Sequence, residues 1–242
     1  DETDWVSGST SQSDYQIIPD GGNIQAVTGG EFGIVFLEKT LVRASYVGSP
    51  LFFQFDTISS GLGCLEGNSV AQYGALSFFL SDDGWYSTDG QTVNGIGTEK
   101  IDRYFFDHAD LTQIGTISAA VDPIKNLVVW NYANVEGSRS ILIYNWQLQK
   151  WSRAETVSDV VGTIASTGET LEGLVSNLGY GNIDTMPASL DSRLFIGGKF
   201  LFAGAKDAKV AIFTGTAITP TLVTTDVEVG YNSVATLARP QI

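Results

Sequence analysis

Apolar and polar residues alternate along much of the chain with a period of two, which is the spacing of a half-buried β-strand. The segment 140–155, SILIYNWQLQKWSRAE, shows this pattern clearly. Ile141 and Ile143 fall on one side of an extended chain, whereas Leu142 and Tyr144 fall on the other side. The segment therefore predicts a strand with apolar side chains on both faces.

The polar residues 147–149 interrupt this strand, and the alternation resumes at Lys150 and Trp151. This order predicts a β-hairpin. We expect Trp146 and Trp151 to be buried as large aromatic residues that cover the edge of a sheet.

The same alternation predicts four clusters of strands, which are separated by turns rich in Gly and Asp. No long stretch has the 3.6-residue period of a helix, so the predicted fold class is all-β. The predicted strands are 33–38, 40–47 and 51–58; 68–74, 75–81, 85–88 and 91–97; 116–122, 127–133, 140–146 and a strand opening at Lys150; and 199–204, 209–215 and 220–229.

Each cluster reads as an antiparallel meander of about 40 to 50 residues, the size of a β-propeller blade. Equivalent third strands begin near Leu41, Trp85, Ser140 and Val210, which are 44, 55 and 70 residues apart. The spacing is uneven, and a β-sandwich with several hairpins would give a similar pattern. A β-propeller of antiparallel meander blades is the favoured fold, with the β-sandwich as the alternative.

We assign residues 1–242 to a single propeller-like domain. The segment 155–190 is rich in Gly and Thr and fits the strand pattern poorly. It is interpreted either as an insertion or as a degenerate blade.

The chain carries 27 acidic and 13 basic residues, giving a formal net charge of -14. This charge repels phosphate, and the basic residues form no run, so non-specific binding of DNA or RNA is disfavoured. The single Cys64 cannot form an intrachain disulfide and is expected to pack as a small apolar residue. No apolar run approaches 18 residues, so the sequence predicts no membrane span.

The residues that could carry chemistry are few. His108 is the only histidine, which excludes a histidine-based metal site. Its neighbours Asp107 and Asp110 could contribute to a cation site, but a solvated loop is the favoured interpretation. No nucleophile elbow or phosphate-binding loop is present. We therefore predict no catalytic residues, no cofactor and no metal, and we expect the chain not to be an enzyme.

One hairpin, Ser-Asp-Asp-Gly-Trp at 81–85, is reminiscent of sialidase-type propellers, but its spacing differs and it occurs once. Asp82, Asp83 and Asp89 could bind calcium, although an Asp-Gly hairpin explains these acids equally well.

Two longer stretches carry a family resemblance. Residues 78–107 (FFLSDDGWYSTDGQTVNGIGTEKIDRYFFD) and 189–229 (SLDSRLFIGGKFLFAGAKDAKVAIFTGTAITPTLVTTDVEV) resemble blades of β-propeller tail nozzle or hub proteins, of the DNA-stabilisation type, from short-tailed bacteriophages and prophages. Weaker similarity covers 33–55 and 144–152.

The resemblance implies a structural virion protein of the tail, below the portal and adaptor, that is assembled in the host bacterial cytoplasm. It implies a homo-oligomeric, sixfold ring that contacts the adaptor, the portal-proximal ring and the fibres or needle. DNA would pass through the channel without specific binding. Such proteins are commonly larger than this chain, so the chain is expected to be part of a larger tail protein.

A carbohydrate- or receptor-binding propeller is the alternative function. Its stacking platforms would be Trp5, Trp85 or Tyr180.

Overall fold

The computed structural model describes residues 15–48, 51–165, 168, 170–176, 179, 181–186, 189–190 and 200–213. The predicted strand 220–229 and the candidate platforms Trp5 and Tyr180 lie outside these residues. In the described part of the chain, no helix is long and apolar enough to cross a bilayer.

The first two sheets are four-stranded antiparallel meanders in which each strand pairs with the next one along the chain. Sheet 1 contains β1 (Ile24–Thr28), β2 (Gly33–Leu37), β3 (Thr40–Gly48) and β4 (Phe52–Ser60). Sheet 2 contains β5 (Ala71–Tyr73), β6 (Leu76–Leu80), β7 (Trp85–Thr88) and β8 (Val93–Gly95).

The third sheet has the same order, and the fourth has three strands among the described residues. Sheet 3 contains β9 (Ser118–Asp122), β10 (Leu127–Ala133), β11 (Arg139–Asn145) and β12 (Lys150–Thr156). Sheet 4 contains β13 (Val160–Ala165), β14 (Phe200–Lys206) and β15 (Lys209–Ile212).

The short helices lie in the connections between strands. They are α1 (Asp102–His108), α2 (Leu171–Ser176) and the 3-10 helices Gly67–Ser69, Leu111–Thr116 and Ile183–Thr185. Within 155–190, the described residues thus include the strand β13, whose partner is β14.

Consecutive sheets pack face to face, because each has apolar side chains on a face that meets its neighbour. Phe36 of sheet 1 and Phe79 of sheet 2 share one core, with ring centroids 5.3 Å apart. A second core joins sheets 2 and 3, and a third joins sheets 3 and 4 through Val129 and Val161. This serial stacking of meanders is the blade arrangement of a β-propeller and differs from the two facing sheets of a sandwich.

The repeat is more regular than the sequence indicated. The first strands begin at Ile24, Ala71, Ser118 and Val160, so successive blades start 47, 47 and 42 residues apart. The predicted equivalence of the third strands is confirmed, since Leu41, Trp85, Ser140 and Val210 each lie in the third strand of their sheet along the chain. The 70-residue gap is the longest because the long connection in sheet 4 lies between β13 and β14, and the 55-residue gap includes α1 and the 3-10 helix Leu111–Thr116.

The largest core contains two buried tryptophans, and two more pack against it. Trp85 and Trp130 are fully buried, with ring centroids 4.3 Å apart, and Trp151 stacks on Trp130 at 5.6 Å. Trp146 and Trp151 pack against this core but are half-buried rather than fully buried. The predicted alternation of β11 is confirmed, since Leu142 and Tyr144 enter this core and Ile141 and Ile143 enter the core shared with sheet 4.

Residues 102–108 form a helix, so the prediction of a loop there is wrong, although Asp107 and His108 are exposed to solvent as predicted. Phe105 of α1 is fully buried and contacts Trp85 with centroids 5.1 Å apart. A single buried aromatic side chain thus anchors a helix that is too short to show a 3.6-residue pattern in the sequence.

Candidate functional site

A polar cleft lies at the end of the stack where the connections run from one sheet to the first strand of the next. We call it the connection cleft, and its volume is about 830 Å³. Its polar lining residues include Asn68, Gln113, Thr116, Ser118, Arg139 and Asp159. Three successive connections contribute to it, because the blades repeat and their equivalent connections meet at the same end.

Arg139 joins two of these connections. Its guanidinium donates through Nη1 to the hydroxyl of Thr116 at 2.8 Å and through Nη2 to the carbonyl of Thr116 at 2.9 Å. Nη2 also donates to the carbonyl of Asp159. Burial lowers the pKa of Arg139, and the negative charge of Asp159 acts in the opposite direction. The planar fork of arginine therefore ties the start of sheet 3 to the start of sheet 4.

The side-chain amides of the cleft make similar local bonds, that of Gln113 with the carboxylate of the nearby Asp110. Asn68 donates to the carbonyl of Gly115 at 3.1 Å and so links the connections before sheets 2 and 3. Asp110 accepts from the hydroxyl of Thr112 at 2.6 Å and from the amide of Gln113 at 2.7 Å. These hydrogen bonds lower the pKa of Asp110, because they favour its charged form.

The sheets are also joined through tryptophan side chains. The indole of Trp130 in sheet 3 donates to the carbonyl of Ser69 at 2.8 Å, and that of Trp151 donates to the carbonyl of Ile96 at 2.9 Å. Both acceptors belong to the neighbouring blade. These bonds fix the register between blades in a way that apolar packing does not.

Sheets 3 and 4 are joined through hydroxyl groups. Thr163 donates to the carbonyl of Val121 at 2.7 Å and accepts from its amide at 3.1 Å. Ser118 accepts from the amide of Val161 at 3.0 Å. Beside Thr163 lies an apolar groove of about 350 Å³ between the first strands of sheets 2, 3 and 4, with Phe200 in its lining.

Asp102 at the start of α1 is a further internal carboxylate. It accepts from the amide of Trp85 at 3.1 Å. An added Cβ at Gly84 or Gly97 would lie 2.4 Å or 1.8 Å from its oxygens, so both glycines leave room for the carboxylate. Burial raises the pKa of Asp102, the amide bond opposes that rise, and Asp83 adds to it.

The residues that the sequence singled out around His108 do not form a cation site. His108 Nδ1 lies 2.9 Å from the carbonyl of Tyr104, and its ring stacks on that of Tyr104 at 4.2 Å. Asp107 forms an exposed ion pair with Arg103 at 3.7 Å. Among the described residues, no group of three or more His, Cys, Asp or Glu is placed to hold a metal ion.

The acids of the two Asp-Gly turns are engaged locally. Asp82 accepts from the hydroxyl of Ser81 at 3.1 Å, and Asp83 accepts from the hydroxyl of Tyr86 at 2.9 Å. Asp89 accepts from the amide of Thr92 at 2.8 Å, and such backbone bonds lower its pKa. These contacts are those of hairpin turns, the second of the two interpretations that the sequence left open.

Trp85 is not a platform for sugar stacking. Its side chain is 0% exposed and packs against Trp130 and Phe105. The proposed role of Trp85 in a carbohydrate-binding module is therefore wrong, because no ligand can reach the ring.

No match was found among protein-family models or among curated proteins. Among solved structures, the chain is similar to PorZ, an essential bacterial surface component of the type-IX secretion system of Porphyromonas gingivalis. The identity is 11%, the TM-score is 0.35, and the match covers 82% of this chain and 22% of PorZ. The chain thus spans less than a quarter of the length of that protein.

Sequence reasoning missed the residues that join the sheets. Arg139, Asn68 and Asp102 each resemble an ordinary turn or strand residue in the sequence, and their partners lie 23, 47 and 17 positions away. One signal was available for Asp102, because two glycines and a tryptophan surround the site that it fills.

Proposed function

We propose that the chain is a structural, non-catalytic β-propeller module of a phage tail, in the nozzle or hub below the portal and adaptor. In this role it docks on neighbouring tail subunits within a sixfold ring and helps to guide or retain DNA in the exit channel. The tail assignment rests on the resemblance of residues 78–107 and 189–229 to blades of such proteins.

The observation that carries the structural role is the use of polar side chains at blade boundaries. Arg139, Asn68, Thr163 and the indole of Trp130 each bond to the backbone of a neighbouring blade or connection. Hydrogen bonds between blades resist sliding of one sheet over another, most strongly where they are buried, as the bond of Trp130 is. A module that bears load between other subunits needs that resistance.

The net charge of -14 supports a surface that guides DNA without binding it tightly. A wall that repels phosphate lets a duplex slide, whereas a basic wall would bind it in a salt-dependent way. In a gel-shift assay at about 0.15 M salt, we therefore expect no retardation of duplex DNA. Strong retardation would rule out a sliding surface.

The tail role itself is tested by deletion in the source phage or prophage. We expect particles without the chain to contain heads that lose their packaged DNA, and we expect plasmid-encoded chain to restore DNA-filled particles. The control is plasmid-encoded chain with Trp85→Asp, which disrupts the core and should not restore DNA-filled particles. Normal DNA retention in the deletion would contradict the proposal.

A carbohydrate- or receptor-binding module is the second candidate, and the connection cleft is the feature that favours it. The cleft has a volume of about 830 Å³ and a largely polar lining, as suits a polar ligand. A glycan-array signal that is lost in Asn68→Ala and retained in Leu148→Ala would support this candidate. No signal from the wild-type chain would remove it.

A further inference from the structure

Sheet 4 has one strand fewer than the other sheets among the described residues. In each of sheets 1, 2 and 3, a fourth strand pairs with the third strand. In sheet 4, β15 is the third strand, and in the described part of the chain it pairs with β14 alone. We call the side of β15 that faces away from β14 its outer edge. It corresponds to the edge that a fourth strand covers in the other three sheets.

The turn between β14 and β15 fixes the orientation of the backbone of β15. Asp207 and Ala208 have φ values of 49° and 58°, as in the two-residue type I′ turn of a tight hairpin. Lys206 and Lys209 are the paired residues on either side of this turn. In such a turn the residue after the turn donates its amide to the residue before it, so the amide of Lys209 points towards β14.

Alternation along β15 then identifies the backbone groups at the outer edge. In an antiparallel strand, every second residue directs its amide and carbonyl groups to the same neighbouring strand. The amide of Phe213 donates to the carbonyl of Phe202 at 3.4 Å, which agrees with the orientation of Lys209. Val210 and Ile212 therefore direct their amide and carbonyl groups to the outer edge, where a further strand would bind them.

We propose that the segment 220–229 of the same chain pairs with the outer edge of β15 as the antiparallel fourth strand of sheet 4. Its sequence, PTLVTTDVEV, is rich in Val and Thr and carries two acidic residues. Such a composition suits a strand at the edge of a sheet. An outer edge left open would invite pairing with other chains, which natural sheets avoid. The inference is independent of the tail role.

The length of the connection supports this pairing. Sheets 2 and 3 join their third and fourth strands through four residues each, 89–92 and 146–149, and sheet 1 does so through 49–51. The strands predicted from the sequence at 209–215 and 220–229 also leave four residues between them. The segment therefore follows β15 at the spacing that the other blades use, and its covalent attachment keeps it close to the outer edge.

Charge complementarity supports one register for this pairing. In sheet 3, the residues on either side of the four-residue connection pair directly, Asn145 with Lys150. The same rule in sheet 4 pairs position 215 with Pro220 and places Asp226 opposite Lys209. Opposite charges at facing positions stabilise two paired strands. In this register the backbone nitrogen of Pro220 faces away from β15, on the side where a strand tolerates proline.

Hydrogen exchange of individual amides in the 242-residue chain tests the proposal. The amide of Ala211 faces β14 and serves as the internal reference. We expect the amides of Val210 and Ile212 to be protected as well, by roughly tenfold or more relative to unstructured peptides. Rapid exchange at Val210 and Ile212 beside slow exchange at Ala211 would overturn the proposal, because water would then occupy the outer edge.

A pair of proline substitutions identifies the strand that covers the outer edge. In the proposed register, Thr225 lies opposite Val210 and directs its amide to β15, whereas Thr224 directs its amide away. Thr225→Pro should speed exchange at Val210 by roughly tenfold or more. Thr224→Pro is the matched control and should leave that exchange nearly unchanged. Protection of Val210 that survives Thr225→Pro would overturn the proposal, because a strand of another chain would then cover the edge.

A charge exchange tests the same pairing if Thr225→Pro unfolds sheet 4. Lys209→Asp places two acidic residues opposite each other, so it should speed exchange at Val210. Adding Asp226→Lys restores opposite charges and should restore slow exchange. If the second substitution does not rescue the first, the two residues do not face each other and the proposal fails.

Discussion

Replacing Trp130 by phenylalanine tests whether hydrogen bonds between blades stabilise the stack. Trp130 is 0% exposed, and its indole donates to the carbonyl of Ser69 in the neighbouring blade at 2.8 Å. The substitution removes part of a buried ring and leaves that carbonyl without its donor. Together, these effects should lower the free energy of unfolding by about 2 to 4 kcal/mol.

Trp85→Phe is the matched control. Trp85 is also 0% exposed and contacts Trp130, but its indole nitrogen finds no hydrogen-bond acceptor among the described residues. Both variants lose the same atoms, so the difference between them reports the loss of the bond of Trp130 together with the removal of the unpaired N–H of Trp85. Trp130→Phe should be the less stable of the two by about 1 to 3 kcal/mol.

The assay is urea unfolding followed by far-ultraviolet circular dichroism, because fluorescence would change with the number of tryptophans. The midpoint should shift while the slope with denaturant stays constant. If Trp130→Phe is no less stable than Trp85→Phe, the bond to Ser69 does not hold the two blades together.

Four further outcomes follow from the internal contacts. The pKa of Asp102 is raised in the folded chain, so the protonated carboxyl stabilises the fold fully below its unfolded pKa of about 3.9. This stabilisation is lost as the pH rises through the folded pKa, and Asp102→Asn should flatten this part of a plot of stability against pH. Gly97→Ala should cost about 1 to 3 kcal/mol in urea unfolding, because its Cβ would meet that carboxylate, whereas Gly162→Ala has open space and should be near neutral. Arg139→Lys cannot make the forked contact, so hydrogen exchange should become faster in the two connections that Arg139 joins, and unchanged exchange would contradict that role. Burial raises the pKa of Cys64 to about 11, so a thiol reagent should modify it only as fast as the chain unfolds, and rapid labelling of the native protein would contradict its position in the core.

The sequence predicted those parts of the fold that depend on local alternation. The strand predictions at 33–38 and 127–133 match β2 and β10 closely, because each alternates or is apolar on both faces and ends at a turn. The strand β1 was not predicted, since its sequence IQAVT is short and half-exposed. The helix α1 was missed because burial of Phe105, a tertiary contact, stabilises it more than its own sequence does.

The candidate site was less accessible to prediction. The connection cleft forms only when equivalent connections of three blades meet, and no short motif encodes that meeting. Arg139 is one of several scattered arginines in the sequence, and its role follows from Thr116 and Asp159 being brought beside it by the stacking of sheets 3 and 4. Residues that act across blade boundaries therefore become visible only in the folded chain.

The proposed tail role is tested most directly by quantitative mass spectrometry of density-purified particles from the source phage or induced prophage. Peptides of this chain are expected at a small fixed ratio to the portal protein, corresponding to about six copies per particle in a sixfold closed ring. Absence of these peptides from purified particles, while they are present in the lysate, would contradict a structural role in the tail.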